Sequence, residues 1–167
     1  LNLDIHQTSY FLYVNATLEQ EIFDNKLEPT VIVADFPLKW TVAGMDELID
    51  DGVNAVVVSQ RAIPSSLMEP KIKNRSRLFY QMANIEASRI KGKNNWAVLL
   101  GTDGFITEGT GDNLFFVKDG VVYTPEPRDI LVGISRNYVM DLCNEMGIQC
   151  IEKNIEIYHI LMLYVKI

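Results

Sequence analysis

Three short stretches between residues 70 and 136 carry side chains able to do chemistry. The first, Pro70-Lys71-Ile72-Lys73, runs into Asn74-Arg75-Ser76-Arg77-Leu78 and on to Ala83-Asn84-Ile85-Glu86-Ala87, placing a lysine where a strand end meets a helix start. A lysine amine can attack a carbonyl and, once displaced, act as a base. Most lysines at such places are solvated charges, and Lys71, two residues back on the same side of an extended segment, competes with Lys73. The second stretch, Ile106-Thr107-Glu108-Gly109-Thr110-Gly111-Asp112-Asn113-Leu114-Phe115, sets Glu108 thirty-five positions after Lys73 (108 minus 73). Alone, Glu108 is an ordinary loop carboxylate, and Gly109-Thr110-Gly111 is too short for a dinucleotide fingerprint. The third is Thr124-Pro125 followed by Ile130-Leu131-Val132-Gly133-Ile134-Ser135-Arg136. Backbone N–H groups at a helix start favour anions, and the lesser alternative is that Gly133-Ile134-Ser135-Arg136 merely begins a helix.

The elements that must position these stretches follow from hydrophobic pattern and turn residues. VIVADF at 31–36 and NAVVVSQ at 54–60 are β-rich runs separated by a polar stretch closing at Asp51-Gly52, which predicts two strands. Between Asn74 and Gly92 there is no Gly or Pro until the end, and Leu78, Met82 and Ile85 recur at helical spacing, so a helix is predicted there with those residues as its apolar face. WAVLLG at 96–101, then LFFV and VVYT about Lys118-Asp119-Gly120, predict strands, the last two a hairpin because Asp-Gly tolerates positive φ. A second helix fits Ile134 to Met146 with Gly147 as its stop, and IQCIEK reads as a returning strand. The class is mixed α and β.

Composition excludes several kinds of function. With 167 residues at 48% hydrophobic, the chain can bury a core of ordinary domain size. A net charge of −7 argues against a nucleic-acid or anionic-membrane surface, which would need clustered Lys and Arg. Cys143 and Cys150 are the only cysteines, too few for a disulfide framework and without paired histidines for zinc, so no metal is expected and a reducing cytoplasm is the natural location. No segment reaches the roughly 18 apolar residues of a membrane span. His6 and His159 lie far apart without ligand-like neighbours and read as structural histidines.

Taken together and in this order, the lysine stretch, the Glu108 loop and the Gly133 turn resemble the class IV pyridoxal-phosphate-dependent aminotransferases, the branched-chain and D-amino-acid aminotransferase family. The resemblance spans about residues 54 to 157. It implies an α+β fold with a sheet-rich, barrel-like large domain flanked by helices, and Lys73, Glu108 and the Gly133 turn converging on one cleft. It implies pyridoxal 5′-phosphate as cofactor, Lys73 as its covalent anchor and proton-transfer base, and Glu108 as the carboxylate at the ring nitrogen. Leu131 would pack on the ring face, while Gly133, Ile134 and Ser135 would receive the phosphate. The reaction implied is amino transfer between an amino acid, branched-chain type favoured, and a 2-oxo acid, in a homodimer with no nucleic-acid or membrane partner.

The chain also departs from the family pattern. Complete family enzymes carry a smaller N-terminal domain; residues 1–53 read as a remnant of it and of the segment between domains, and 54–167 as the cofactor-binding large domain, incomplete at its C-terminus. Asn154-Ile155-Glu156-Ile157-Tyr158-His159 enters the family's final helix, but Leu161 to Ile167 does not resemble its acidic continuation, and the threonine turn that completes the phosphate site is absent. The same lysine would serve an aminodeoxychorismate-lyase-like enzyme, and a truncated, non-catalytic homologue acting as a binding subunit is the non-enzymatic alternative.

Overall fold

Alternating runs of β-branched and aromatic residues set the strands, and a computed structural model describes residues 10–20, 27–37, 45–74, 76, 78–161 and 164–166. The chain divides into two units, Leu1–Asp51 and Gly52–Ile167. In the first, β1 (Tyr10–Gln20) and β2 (Leu27–Pro37) form an antiparallel pair in continuous register from Tyr10 opposite Pro37 to Gln20 opposite Leu27, followed by the short α1 (Asp46–Asp51). The predicted strand at 31–36 lies inside β2.

The second unit is built around two open sheets, of three and four strands; no closed barrel forms among the described residues. In the first sheet β3 (Asn54–Arg61) runs parallel to β4 (Asn95–Leu100), which pairs antiparallel with β5 (Ile106–Gly109). A parallel pair needs a crossover connection, and here that crossover contains helix α2 (Leu78–Ser88). The second sheet has the order β8 (Cys150–Glu152), β7 (Val121–Thr124), β6 (Phe115–Lys118), β9 (Tyr164–Lys166). Asp119 and Gly120 both take positive φ, 50° and 78°, giving the two-residue turn whose twist suits the β6–β7 hairpin. Helix α3 (Ile134–Glu145) ends where Gly147, at φ 68°, turns the chain so that the Ile148 N–H reaches the Cys143 carbonyl. The short α4 (Ile157–Leu161) precedes β9.

Strand β4 divides the core because its side chains alternate between its two faces. Ala97 and Leu99 join Val58, Ala62, Ala83 and Ala87 beneath α2. Val98 and Leu100 pack on the other face with Ile106, Leu114, Phe116 and Ile155, so Ile155, in the tail, is core. This corrects the predicted apolar face of the helix. Alanines 83 and 87 are its buried residues, while Leu78 and Met82 remain 74% and 53% exposed. Small side chains let a helix backbone approach a sheet closely, and spacing alone did not reveal which of two apolar stripes would do so. The helix also stops earlier than Gly92. The Asn95 side-chain amide donates to the Ala87 and Ile90 carbonyls, satisfying helix-end acceptors. Arg75 and Arg77, within the predicted helix, lie outside the described residues. No helix among the described residues is long and apolar enough to cross a membrane.

The pairing of β3 with β4 shifts register between Val57 and Arg61. At that irregularity Ser59 donates from its backbone N–H and its hydroxyl to the two oxygens of Glu86 on α2, at 2.7 and 2.6 Å. The Ser59 hydroxyl, then its N–H, hold the Glu86 carboxyl below its ordinary value. A carboxyl depressed on folding adds stability above its unfolded value and loses it as the pH falls through the folded one. The wild-type advantage in thermal midpoint over Glu86→Gln should therefore be full near pH 7 and vanish toward about pH 3. A difference independent of pH would contradict it.

Candidate active site

Glu108 sits on β5 with only 6% of its surface exposed. A buried carboxylate is costly unless hydrogen-bonded, and this one collects donors from three elements. The Tyr80 hydroxyl on α2 donates to Oε1 at 2.8 Å. On the other oxygen, Oε2, the Leu131 backbone N–H donates at 2.9 Å and the Asn113 amide at a longer 3.4 Å. Asn113 also donates to the Leu131 carbonyl at 2.8 Å, so one side chain ties the Glu108 loop to the turn before α3.

The loop after Glu108 is held at further points. The Gly109 N–H donates to the Asp112 carbonyl, and the Thr110 hydroxyl donates to Asn84 of α2 at 2.9 Å. A Cβ on Gly109 would collide with the Asp112 carboxylate, which folds back over it. The Asp112 carboxyl is pushed above its ordinary range by burial, opposed by a hydrogen bond from Gly111.

The lysine stretch reaches the same place by turns rather than as an extended segment. The Ile72 N–H donates to the Glu69 carbonyl, and the Ser65 N–H donates to Asp129, which anchors the segment to the 127–129 turn. A turn separates the two lysines. Lys71 is engaged outward, with Nζ 2.9 Å from Glu69 Oε1 and donating to the Arg128 carbonyl at 3.4 Å. Lys73 lines a solvent-open cavity, about 650 Å³ counting its mouth, together with Tyr80, Glu108, Asp112, Asn113 and Leu131. A concave space in which a few polar groups converge on an apolar lining is the usual form of a small-molecule site.

The third stretch is placed differently from the expectation of a single cleft. Leu131 lines the cavity; Gly133, Ile134 and Ser135 do not. Asn113 stands between, and a Cβ on Gly133 would lie 2.5 Å from its Oδ1. Gly133 caps α3, Ile134 is 90% exposed, and the N–H groups of this first turn have no partner inside the helix. Arg136, 2% exposed, holds the turn in place by donating to the Pro125 carbonyl at 3.0 Å and pairing with Glu152 at 2.6 Å. No group of three or more metal-ligating side chains occurs among the described residues.

Three residues of the site carried no assignment in the sequence. Asn113 sits inside the quoted loop, but its double bond is a tertiary fact. Asp112 is likewise a loop residue whose burial only the fold decides. Tyr80 had one available signal, its four-residue spacing from Asn84, which puts both on one face of a helix.

The class IV amino-transferase family profile matches residues 4–162. A putative branched-chain-amino-acid aminotransferase of Methanocaldococcus jannaschii is 39% identical over 110 residues, covering 65% of this chain and 38% of the relative. Among solved structures, the branched-chain aminotransferase of Thermoproteus uzoniensis with norvaline superposes with a TM-score of 0.77 at 29% identity, over 92% of this chain and 51% of that one. The T.th. branched-chain amino acid aminotransferase complexed with N-(5′-phosphopyridoxyl)-L-glutamate gives 0.74 at 25% identity, over 92% and 50%. The chain thus spans about two fifths of the length of the curated relatives it matches, 38% and 41% for two of them.

The half-buried Asp112 yields a pH-dependent stability. Because the Asp112 carboxyl is raised on folding, its favourable contribution exists below its unfolded value and is lost as the pH rises through the folded one. Asp112→Asn should gain thermal midpoint relative to wild type between about pH 3 and pH 7. Scanning calorimetry across that interval checks the slope, and a falling difference would contradict it.

Proposed function

Because the chain belongs to the class IV aminotransferases, we propose that it is the cofactor-binding part of an enzyme transferring the amino group of a branched-chain amino acid to a 2-oxo acid with pyridoxal 5′-phosphate. The observation that carries this reading is the cavity lined together by Lys73, Leu131 and the buried, hydrogen-bonded Glu108. The donor set fits the cofactor: an amine for its aldehyde, an acid for its ring nitrogen, and an apolar side chain for its face. The phosphopyridoxyl ligand of the T.th. relative supports the choice of cofactor.

When bound, pyridoxal phosphate supplies the electron sink that makes loss of the substrate Cα proton feasible. Lys73 would be the amine that anchors the cofactor and the base that carries that proton. Glu108 would hold a proton on the ring nitrogen through its opposite charge. Leu131 would pack on the face of the ring. The start of α3, beside the cavity, would offer the N–H groups of Ile134 and Ser135 to the phosphate, with Gly133 at the turn that leads into them. The names of the relatives, branched-chain aminotransferases in both comparisons, support the branched-chain class of substrate. The family resemblance supports a homodimer, and the free thiols Cys143 and Cys150 suit a cytoplasmic enzyme.

Adding pyridoxal phosphate should produce a visible absorption band and a borohydride-reducible link that maps to Lys73. Lys73→Ala should abolish both, and Lys71→Ala should retain them. Glu108→Gln should keep the band but slow amino transfer from a branched-chain amino acid to 2-oxoglutarate by about two to three powers of ten, since a charge-assisted contact in a dry site is lost. A link mapping to Lys71, or none, would overturn the assignment.

A further inference from the structure

Helix α2 touches the Glu108 loop at two points one turn apart. Tyr80 donates to Glu108 Oε1 at 2.8 Å, and Asn84 accepts from the Thr110 hydroxyl at 2.9 Å. Residues four apart share a helix face, so a single rigid element registers both the carboxylate and the residues that follow it. The opposite oxygen, Oε2, is held from the turn before α3 by the Leu131 N–H. A carboxylate fixed at one oxygen can still swing about that contact; fixed at both, its plane is set. Tyr80 also lines the cavity beside Lys73.

We propose that Tyr80 is a positioning residue of the active site, whose hydroxyl, delivered by α2 to the oxygen opposite the one Leu131 holds, sets the plane of the Glu108 carboxylate and favours its ionised form. A donor to a carboxylate stabilises the charged state, and each carboxylate oxygen can accept from more than one donor. Tyr80 thereby keeps Glu108 an acceptor at the cavity wall. Its significance for catalysis rests on the reading of Glu108 as the partner of the cofactor's ring nitrogen; its action on Glu108 does not.

The test uses the full chain and Tyr80→Phe, which preserves ring volume and removes the hydroxyl. In the cofactor-free protein, 13C NMR titration of the Glu108 carboxyl, assigned by its disappearance in Glu108→Gln, should move to higher pH in Tyr80→Phe, with proton affinity raised about tenfold. Incorporation of 3-fluorotyrosine in place of Tyr80, a stronger donor of nearly the same shape, should move the titration to lower pH and supplies the answer should Tyr80→Phe fail to fold. With pyridoxal phosphate added, Tyr80→Phe should alter the pH profile of the bound chromophore, and Tyr80→Phe/Glu108→Gln should behave as Glu108→Gln alone. A Glu108 titration unmoved by either replacement overturns the proposal. A moved titration in a chain that takes up no cofactor upholds it and overturns the functional reading instead.

Discussion

Much of the second unit is organised by one unfavourable act, the burial of the Glu108 charge. Removing a carboxylate from water without partners costs several kcal/mol even after the protein relaxes. Hydrogen bonds to a charged group return about 1.5–3 kcal/mol each. One donor would not offset the burial, and the observed donors belong to α2, to the loop after β5 and to the turn before α3. Two of those donors come from 28 and 23 residues away in sequence. The requirement that they meet at one carboxylate fixes where the helix crosses, how the loop folds and where the cavity opens.

Asn113 extends that constraint from an atom to a framework. By bonding the Leu131 carbonyl while reaching Glu108, it makes the acid loop and the 130–133 turn a single unit. The same placement explains the glycine at 133, since any side chain there would meet the Asn113 carbonyl oxygen. It also explains why the helix start adjoins the cavity without lining it. Behind the turn, the buried Arg136 ties α3 to Pro125 and to Glu152 of β8, so the anion-favouring end of the helix rests on the second sheet.

The two lysines show how local geometry separates residues that sequence treats as equals. In an extended strand, positions two apart share a face. Turns at Pro70–Ile72 remove that equivalence, and Glu69 lies within reach of Lys71, leaving Lys73 as the lysine on the cavity wall. A change from strand to turn across three residues therefore decides which lysine lines the cavity that Glu108 also lines.

Local pattern along the chain was enough to reveal the mixed α and β class and most elements: β-branched runs, a Gly-free helix window, and Asp119-Gly120 and Gly147 at their turns; the family was legible only as the resemblance of three stretches taken in order. Residue types bearing chemistry are visible for the same reason, an amine or a carboxylate being what it is in any fold. That Ala83 and Ala87, rather than Leu78 and Met82, face the sheet emerged only from packing, since closeness of approach is a property of two surfaces together. Packing likewise brought Tyr80 and Asn113 to Glu108, and left Gly133, Ile134 and Ser135 beside the cavity and not in its wall. A hydrogen bond across 28 residues, such as that from Tyr80 to Glu108, leaves no periodic trace in a chain, because its partners are chosen by packing in three dimensions and not by spacing in one.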